Sequence, residues 1–121
     1  MKIETRNSNI HGVGVFCIDN ILKDEIIEIC QLIILNEKDT QIIDNTFLYN
    51  YYFSWEKNGS AICLGSGSLY NHSIKPNAKY IKEFNDNKII FTAIKDIKKG
   101  EEVLVNYNGN PDSNKKVWFE L

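Results

Sequence analysis

Asn71-His72-Ser73-Ile74-Lys75-Pro76-Asn77 places an amide, an imidazole and a hydroxyl side by side, with a second amide behind a proline. Further along, Gly100-Glu101-Glu102-Val103-Leu104-Val105-Asn106-Tyr107 runs out of a turn and ends on a tyrosine. Upstream lie Gly12-Val13-Gly14-Val15-Phe16 and an aromatic run, Tyr51-Tyr52-Phe53-Ser54-Trp55. Amides, phenols and ring faces hold and align a polar or cationic ligand; they do not make a strong base or nucleophile. No carboxylate–histidine–serine arrangement is present, and His11 and His72 are too few for a typical zinc site. Gly12-x-Gly14 lacks the third glycine of a dinucleotide-binding turn, since Cys17 stands there. Each segment alone also has a plain structural reading. Asn71 and Ser73 suit a turn, His72 suits a hydrogen-bonded core, the glycines suit a tight bend, and a strand-end tyrosine anchors its hydroxyl.

The elements that must carry these residues are mostly strands. Val13 to Ile18 is a short apolar run after the glycine turn, and the β-branched stretch Glu25 to Leu35 predicts one long strand or two bent ones. Lys38 to Asn45 has weak helical character, with Ile42 and Ile43 as its apolar anchors. Ala61 to Leu64 predicts a strand, Gly65-Ser66-Gly67 a turn, and Ala78 to Phe84 with Lys88 to Ile94 a hairpin around Asn85-Asp86-Asn87. Val103 to Tyr107 alternates as a final strand, and the polar stretch from Asn108 to Lys116, with Gly109 and Pro111, is a loop. The fold class is mainly β with short helices.

A chain of 121 residues with 43% hydrophobic and 25% charged content predicts one soluble domain with its own core. Fourteen basic against sixteen acidic side chains give a net charge of −2, which argues against a general nucleic-acid binder. Cys17, Cys30 and Cys63 are odd in number and far apart, so they predict buried reduced thiols, not a disulfide framework or a metal site. No run approaches the ~18 apolar residues of a membrane span. The expected location is the cytoplasm, or a host cell or nucleus if the chain is viral or a secreted effector.

In order and spacing, the glycine turn, the Asn-His-Ser-x-x-Pro-Asn segment and the Gly-Glu-Glu…Tyr segment resemble the signature of SET-domain protein lysine methyltransferases. The resemblance is closest to minimal bacterial and viral members that lack flanking domains. It implies a SET fold of small β-clip-like sheets, with a pseudoknot near the C-terminus. It further implies a single domain over 1–121, with 108–121 as a zinc-free closing segment and no metal. S-adenosyl-L-methionine is the implied cofactor, held by Gly12, Val13, Gly14, Asn71, His72 and Trp118. Tyr107 is the implied catalytic tyrosine at the junction of cofactor and lysine, and Tyr51 lines the lysine channel with Tyr52 as its neighbour. Tyr80 is the implied restraint on methylation state, because the usual tyrosine two positions before Tyr107 is Val105. Leu69, Tyr70 and Asn106 depart from the familiar pattern. The implied partner is a protein presenting a lysine, histone or histone-like, with no direct nucleic-acid or membrane contact; pairing of two copies is left open. The rival readings are a non-catalytic peptide-binding module and methylation of a small-molecule amine. Intact Asn71, His72 and Tyr107 argue against the inert module.

Overall fold

The β-branched run becomes a single strand in the computed structural model, which describes residues 1–117. This strand, β3 (Ile26–Leu35), bends at a bulge between Ile26 and Glu28. Its first half pairs antiparallel with β8 (Lys88–Ala93) and its second half with β5 (Gly59–Cys63). With β4 (Phe53–Trp55) and β7 (Ala78–Glu83) at the edges, the sheet runs β4-β5-β3-β8-β7. The sheet curls until its two edges face each other: the rings of Phe53 and Tyr80 meet at 5.1 Å and those of Trp55 and Phe84 at 4.6 Å. The predicted hairpin joins β7 to β8, and Asn87 takes a left-handed conformation (φ 51°) that asparagine tolerates.

The second sheet is ordered β1-β2-β9-β6, from β1 (Ile3–Asn7), β2 (Val13–Cys17), β9 (Glu102–Val105) and β6 (Asn71–His72). β9 lies between strands that precede it in the chain, antiparallel to β2 and parallel to β6. Asn77 locks this insertion. Its Nδ2 donates to the Glu102 carbonyl (2.8 Å) and its Oδ1 accepts from Leu104 N–H (2.8 Å). The C-terminal segment therefore crosses beside the Asn-His stretch, as the resemblance implies.

β1 was invisible in the sequence because only Ile3 of its five residues is buried. The helix α1 (Glu37–Ile43) forms where weak helical character is predicted, capped by the Asn36 side chain, which accepts from Asp39 N–H. Its anchor differs from the expected one. Of the two expected anchors Ile43 is half-buried but Ile42 is exposed, and the buried residue is Thr40, which shares a 2.8 Å hydrogen bond with Ser60. The core fills the space around β3, β8, β2 and β9, with Val15, Ile89, Phe91, Val103 and Val105 fully enclosed. Tyr70 stacks on Phe91 at 4.0 Å and 13°. Cys17, Cys30 and Cys63 are buried free thiols, as expected.

Candidate active site

Pairing of β6 with β9 sets Asn71 beside Leu104 and His72 beside Val105. Asn71 is buried, and its Nδ2 donates to the His11 carbonyl (3.0 Å) and to Glu102 Oε2 (2.8 Å). Both partners can only accept, so the amide orientation is settled and Oδ1 is left as an acceptor for a ligand. The other Glu102 oxygen accepts from the Ser8 hydroxyl at 2.7 Å. Gly14 makes room for this pair, since a Cβ there would run into Glu102 Oε2 and Asn71 Nδ2. Gly12 differs: it has φ 46°, and a Cβ would enter open space.

Tyr107 lies two residues beyond the end of β9 and is tied down at both ends. Its N–H donates to His72 Nδ1 at 3.0 Å, which makes that nitrogen the acceptor and places the imidazole proton on Nε2. Its hydroxyl donates to the Tyr70 carbonyl at 2.6 Å. Burial first, then the neighbouring Tyr51, Glu102 and Tyr80, push the Tyr107 phenol up to about 12. The hydroxyl is therefore protonated at neutral pH and acts as a hydrogen-bond donor, not as a base.

The acceptor carbonyl is itself anchored. The Tyr70 side chain is buried and donates to Glu28 Oε1 (2.8 Å), while Glu28 Oε2 accepts from Ser66 N–H (3.0 Å). Burial and the adjacent Glu28 push the Tyr70 phenol far up, so this bond keeps its proton at any working pH. Asn106, another departure from the family pattern, organises the loop beyond Tyr107. It accepts from Asn108 N–H (3.0 Å) and donates to the Ser113 carbonyl (2.7 Å).

Two cavities open onto this assembly. The larger, about 800 Å³, is walled by Gly12, Val13, Phe47, Asn71 and His72 among others, a volume suited to a nucleoside-sized ligand. The smaller, about 140 Å³, is walled by Tyr52, Phe53, Ser54, Tyr80, Lys82 and Val105 among others. Asn50, Tyr51, Ser68 and Tyr107 line both. Tyr107 and Tyr51 thus stand where the large cavity meets the small one.

Of the residues singled out from the sequence, Gly12, Val13, Asn71, His72, Tyr51 and Tyr107 surround the large cavity. Tyr51, Tyr80 and Tyr107 surround the small one. Gly14 lies behind the wall, where it serves the Asn71–Glu102 pair. Tyr52 lines the small cavity alone, with its hydroxyl turned to Asp44 at 2.6 Å. The Tyr80 hydroxyl donates to the Tyr107 carbonyl at 3.2 Å. Trp118 lies outside the described residues. Sequence reasoning missed Ser8, Glu28, Glu102 and Lys82. Glu28 left a signal, an acidic residue inside an apolar run, and Lys82 left another, standing two strand positions from Tyr80 and so on its face.

A family profile described as SET domain matches residues 12–108. A Schizosaccharomyces pombe protein named histone-lysine N-methyltransferase, H3 lysine-37 specific, is 29% identical over 119 residues, 98% of this chain and 77% of that protein. A candidate SET domain-containing protein, L678, of Acanthamoeba polyphaga mimivirus is 29% identical over 84% of this chain and 32% of its own length. Among solved structures, a Plasmodium falciparum protein described as a candidate histone methyltransferase superposes with a TM-score of 0.73. It is 34% identical and the match covers 90% of this chain and 99% of that one. A structure of ctPRC2 with H3K27me3 and H3K27M gives a TM-score of 0.74 at 23% identity, over 87% of this chain and 14% of that one, which is a likeness of fold alone. With a profile match over most of its length, this chain belongs to the SET-domain family.

Proposed function

We propose that this protein transfers a methyl group from S-adenosyl-L-methionine to the ε-amine of a lysine on a histone or histone-like protein. Protein lysine methylation is the activity that goes with the family; the donor and the substrate are the finer part of the reading. The observation that carries it is the meeting of two cavities of very different size at Tyr107 and Tyr51. One suits a nucleoside-sized donor and the other the end of a single extended side chain.

The residues of the large cavity fit this donor. Asn71 Oδ1 is the acceptor that an ammonium requires, and Gly12 keeps open the space a side chain would fill. When bound, S-adenosyl-L-methionine supplies an activated methyl group on a sulfonium. The chain's own residues do the rest. Tyr51 and Tyr80 guide the aliphatic stem of the lysine, and their ring faces tolerate its charge. Deprotonating a free lysine at pH 7 costs about 4.6 kcal/mol, and desolvation between aromatic walls lowers that cost. The proton leaves to water, because Tyr107, held near 12, is not a base. Much of the acceleration comes from holding the reacting atoms in line.

Incubation with the donor and a set of histone peptides, read by mass spectrometry, tests the reading. A methyl mass increment on lysine is expected with the wild type and a strong loss of turnover with Tyr107→Phe. Unchanged kinetics in that variant would overturn the role given to Tyr107.

A further inference from the structure

Among the described residues, Lys82 is the only charged side chain that lines the small cavity; the rest of the wall is phenols, hydroxyls, amides and apolar groups. It sits on β7 and reaches across the gap between the sheet edges, donating to the Ser54 carbonyl at 2.7 Å. That bond uses one of the three ammonium donors. No carboxylate of the described residues lies within ion-pair distance of it, the ion pairs being Lys2–Glu25 and Arg6–Glu4. The residue is half-buried, and burial lowers its pKa. A carbonyl oxygen offsets only part of that effect.

The position matters for what the cavity admits. On the reading above, the side chain that enters is itself a lysine, so an uncompensated cation in the wall repels it. A carboxylate beside the incoming residue removes the repulsion and gives the ammonium the partner it lacks. We propose that Lys82 is a specificity-determining residue that selects acceptors carrying an aspartate or glutamate close in sequence to the target lysine. It contacts that flanking carboxylate with the donors not used by Ser54, and it takes no part in the transfer itself.

Binding, measured apart from turnover, tests this. Fluorescent peptides carry a single lysine in a neutral Gly/Ser background, with one glutamate moved position by position along either side. Matched peptides carry glutamine or lysine at the same places. Anisotropy is recorded with S-adenosylhomocysteine present so that no transfer occurs. At one position glutamate should tighten binding about fivefold over glutamine. Lys82→Arg should keep the preference, Lys82→Met should lose it, and Lys82→Glu should reverse it in favour of the lysine-flanked peptide. Thermal melts of each variant separate this from loss of the β7–β4 tie, which weakens all peptides equally. The inference is overturned if no peptide binds, if glutamate gives no advantage, or if the advantage survives in Lys82→Met. A peptide that binds with this preference but gains no mass with S-adenosyl-L-methionine leaves the inference standing and sinks the transfer reading.

Discussion

The Glu28–Tyr70 bond offers a stringent test, because it joins the sheet core to the carbonyl that holds Tyr107. Tyr70→Phe deletes one hydroxyl and leaves Glu28 Oε1 without its donor at a depth where Glu28 is 6% exposed and Tyr70 2%. A hydrogen bond to an ionised group contributes about 1.5–3 kcal/mol. The remaining Ser66 N–H serves the other oxygen and does not compensate. A loss of ~2 kcal/mol should lower the melting temperature by roughly 6–12 °C for a domain of this size. Glu28→Gln should also destabilise, because it replaces an ionised acceptor with a neutral amide whose NH2 can meet the Tyr70 hydroxyl only by reversing that hydrogen bond. Urea unfolding of the wild type, both single variants and the double variant should then give a coupling energy of about 1.5–3 kcal/mol. In parallel, kcat should fall in each single variant while S-adenosyl-L-methionine affinity stays the same, since the cofactor-side groups are untouched. A coupling below ~0.5 kcal/mol would refute the reasoning and mean that the buried carboxylate is satisfied by other means.

The two glycines should separate by readout. Gly12→Ala should lower stability modestly through its left-handed backbone (φ 46°) and weaken cofactor binding, whereas Gly14→Ala should cost more stability by splitting Asn71 from Glu102; calorimetry and thermal melts distinguish them, and identical behaviour would contradict the geometry. Asn71→Ala should weaken S-adenosyl-L-methionine binding by ~1–3 kcal/mol in calorimetry, and unchanged affinity would remove Asn71 from the donor site. Tyr80→Phe should raise the di- or trimethyl fraction of one substrate peptide at equal turnover, whereas an unchanged product ratio in mass spectrometry makes Tyr80 structural. Turnover should climb from pH 7 to pH 9 as the acceptor amine deprotonates. The Tyr107 phenol, raised above its unfolded value to about 12, contributes stability that is fully present below pH 10 and is lost as pH rises toward 12. A pH–rate profile with a descending limb below pH 10 that disappears in Tyr107→Phe would overturn this assignment.

Local chemistry made much of the fold legible in the sequence. Periodicity and turn residues located the β7–β8 hairpin, the long β-branched strand and the strand leading to Tyr107, because each is specified by its own residues. β1 and β6 were not legible: β1 buries one side chain, and β6 is two polar residues made a strand only by pairing with β9. In the site, side chains with unusual neighbours in sequence stood out, while those whose partners are distant did not. Glu102 reads as a turn residue until Ser8 and Asn71 are brought to it. Asn106 reads as a harmless replacement until its hydrogen bonds to the following loop appear. Gly14 was legible as a glycine that matters, but the object it avoids is a carboxylate 88 positions on (102 − 14). Such partners are set by topology, and no window of local sequence contains them.

The central place of β9 also governs how the protein comes into being. Until β9 is in place, β2 is paired on one side only, with β1, and the Asn71–His72 segment has no strand to pair with. Seating β9 pairs Val103 with Val15, 88 positions earlier in the chain (103 − 15), a non-local pairing of the kind that makes folding slow. Tyr107 arrives in that same step, two residues behind Val105. The two cavities and the phenol that stands between them are therefore completed together. A chain broken before β9 should therefore expose the open edge of β2 and lack Tyr107 altogether, losing activity outright instead of in part.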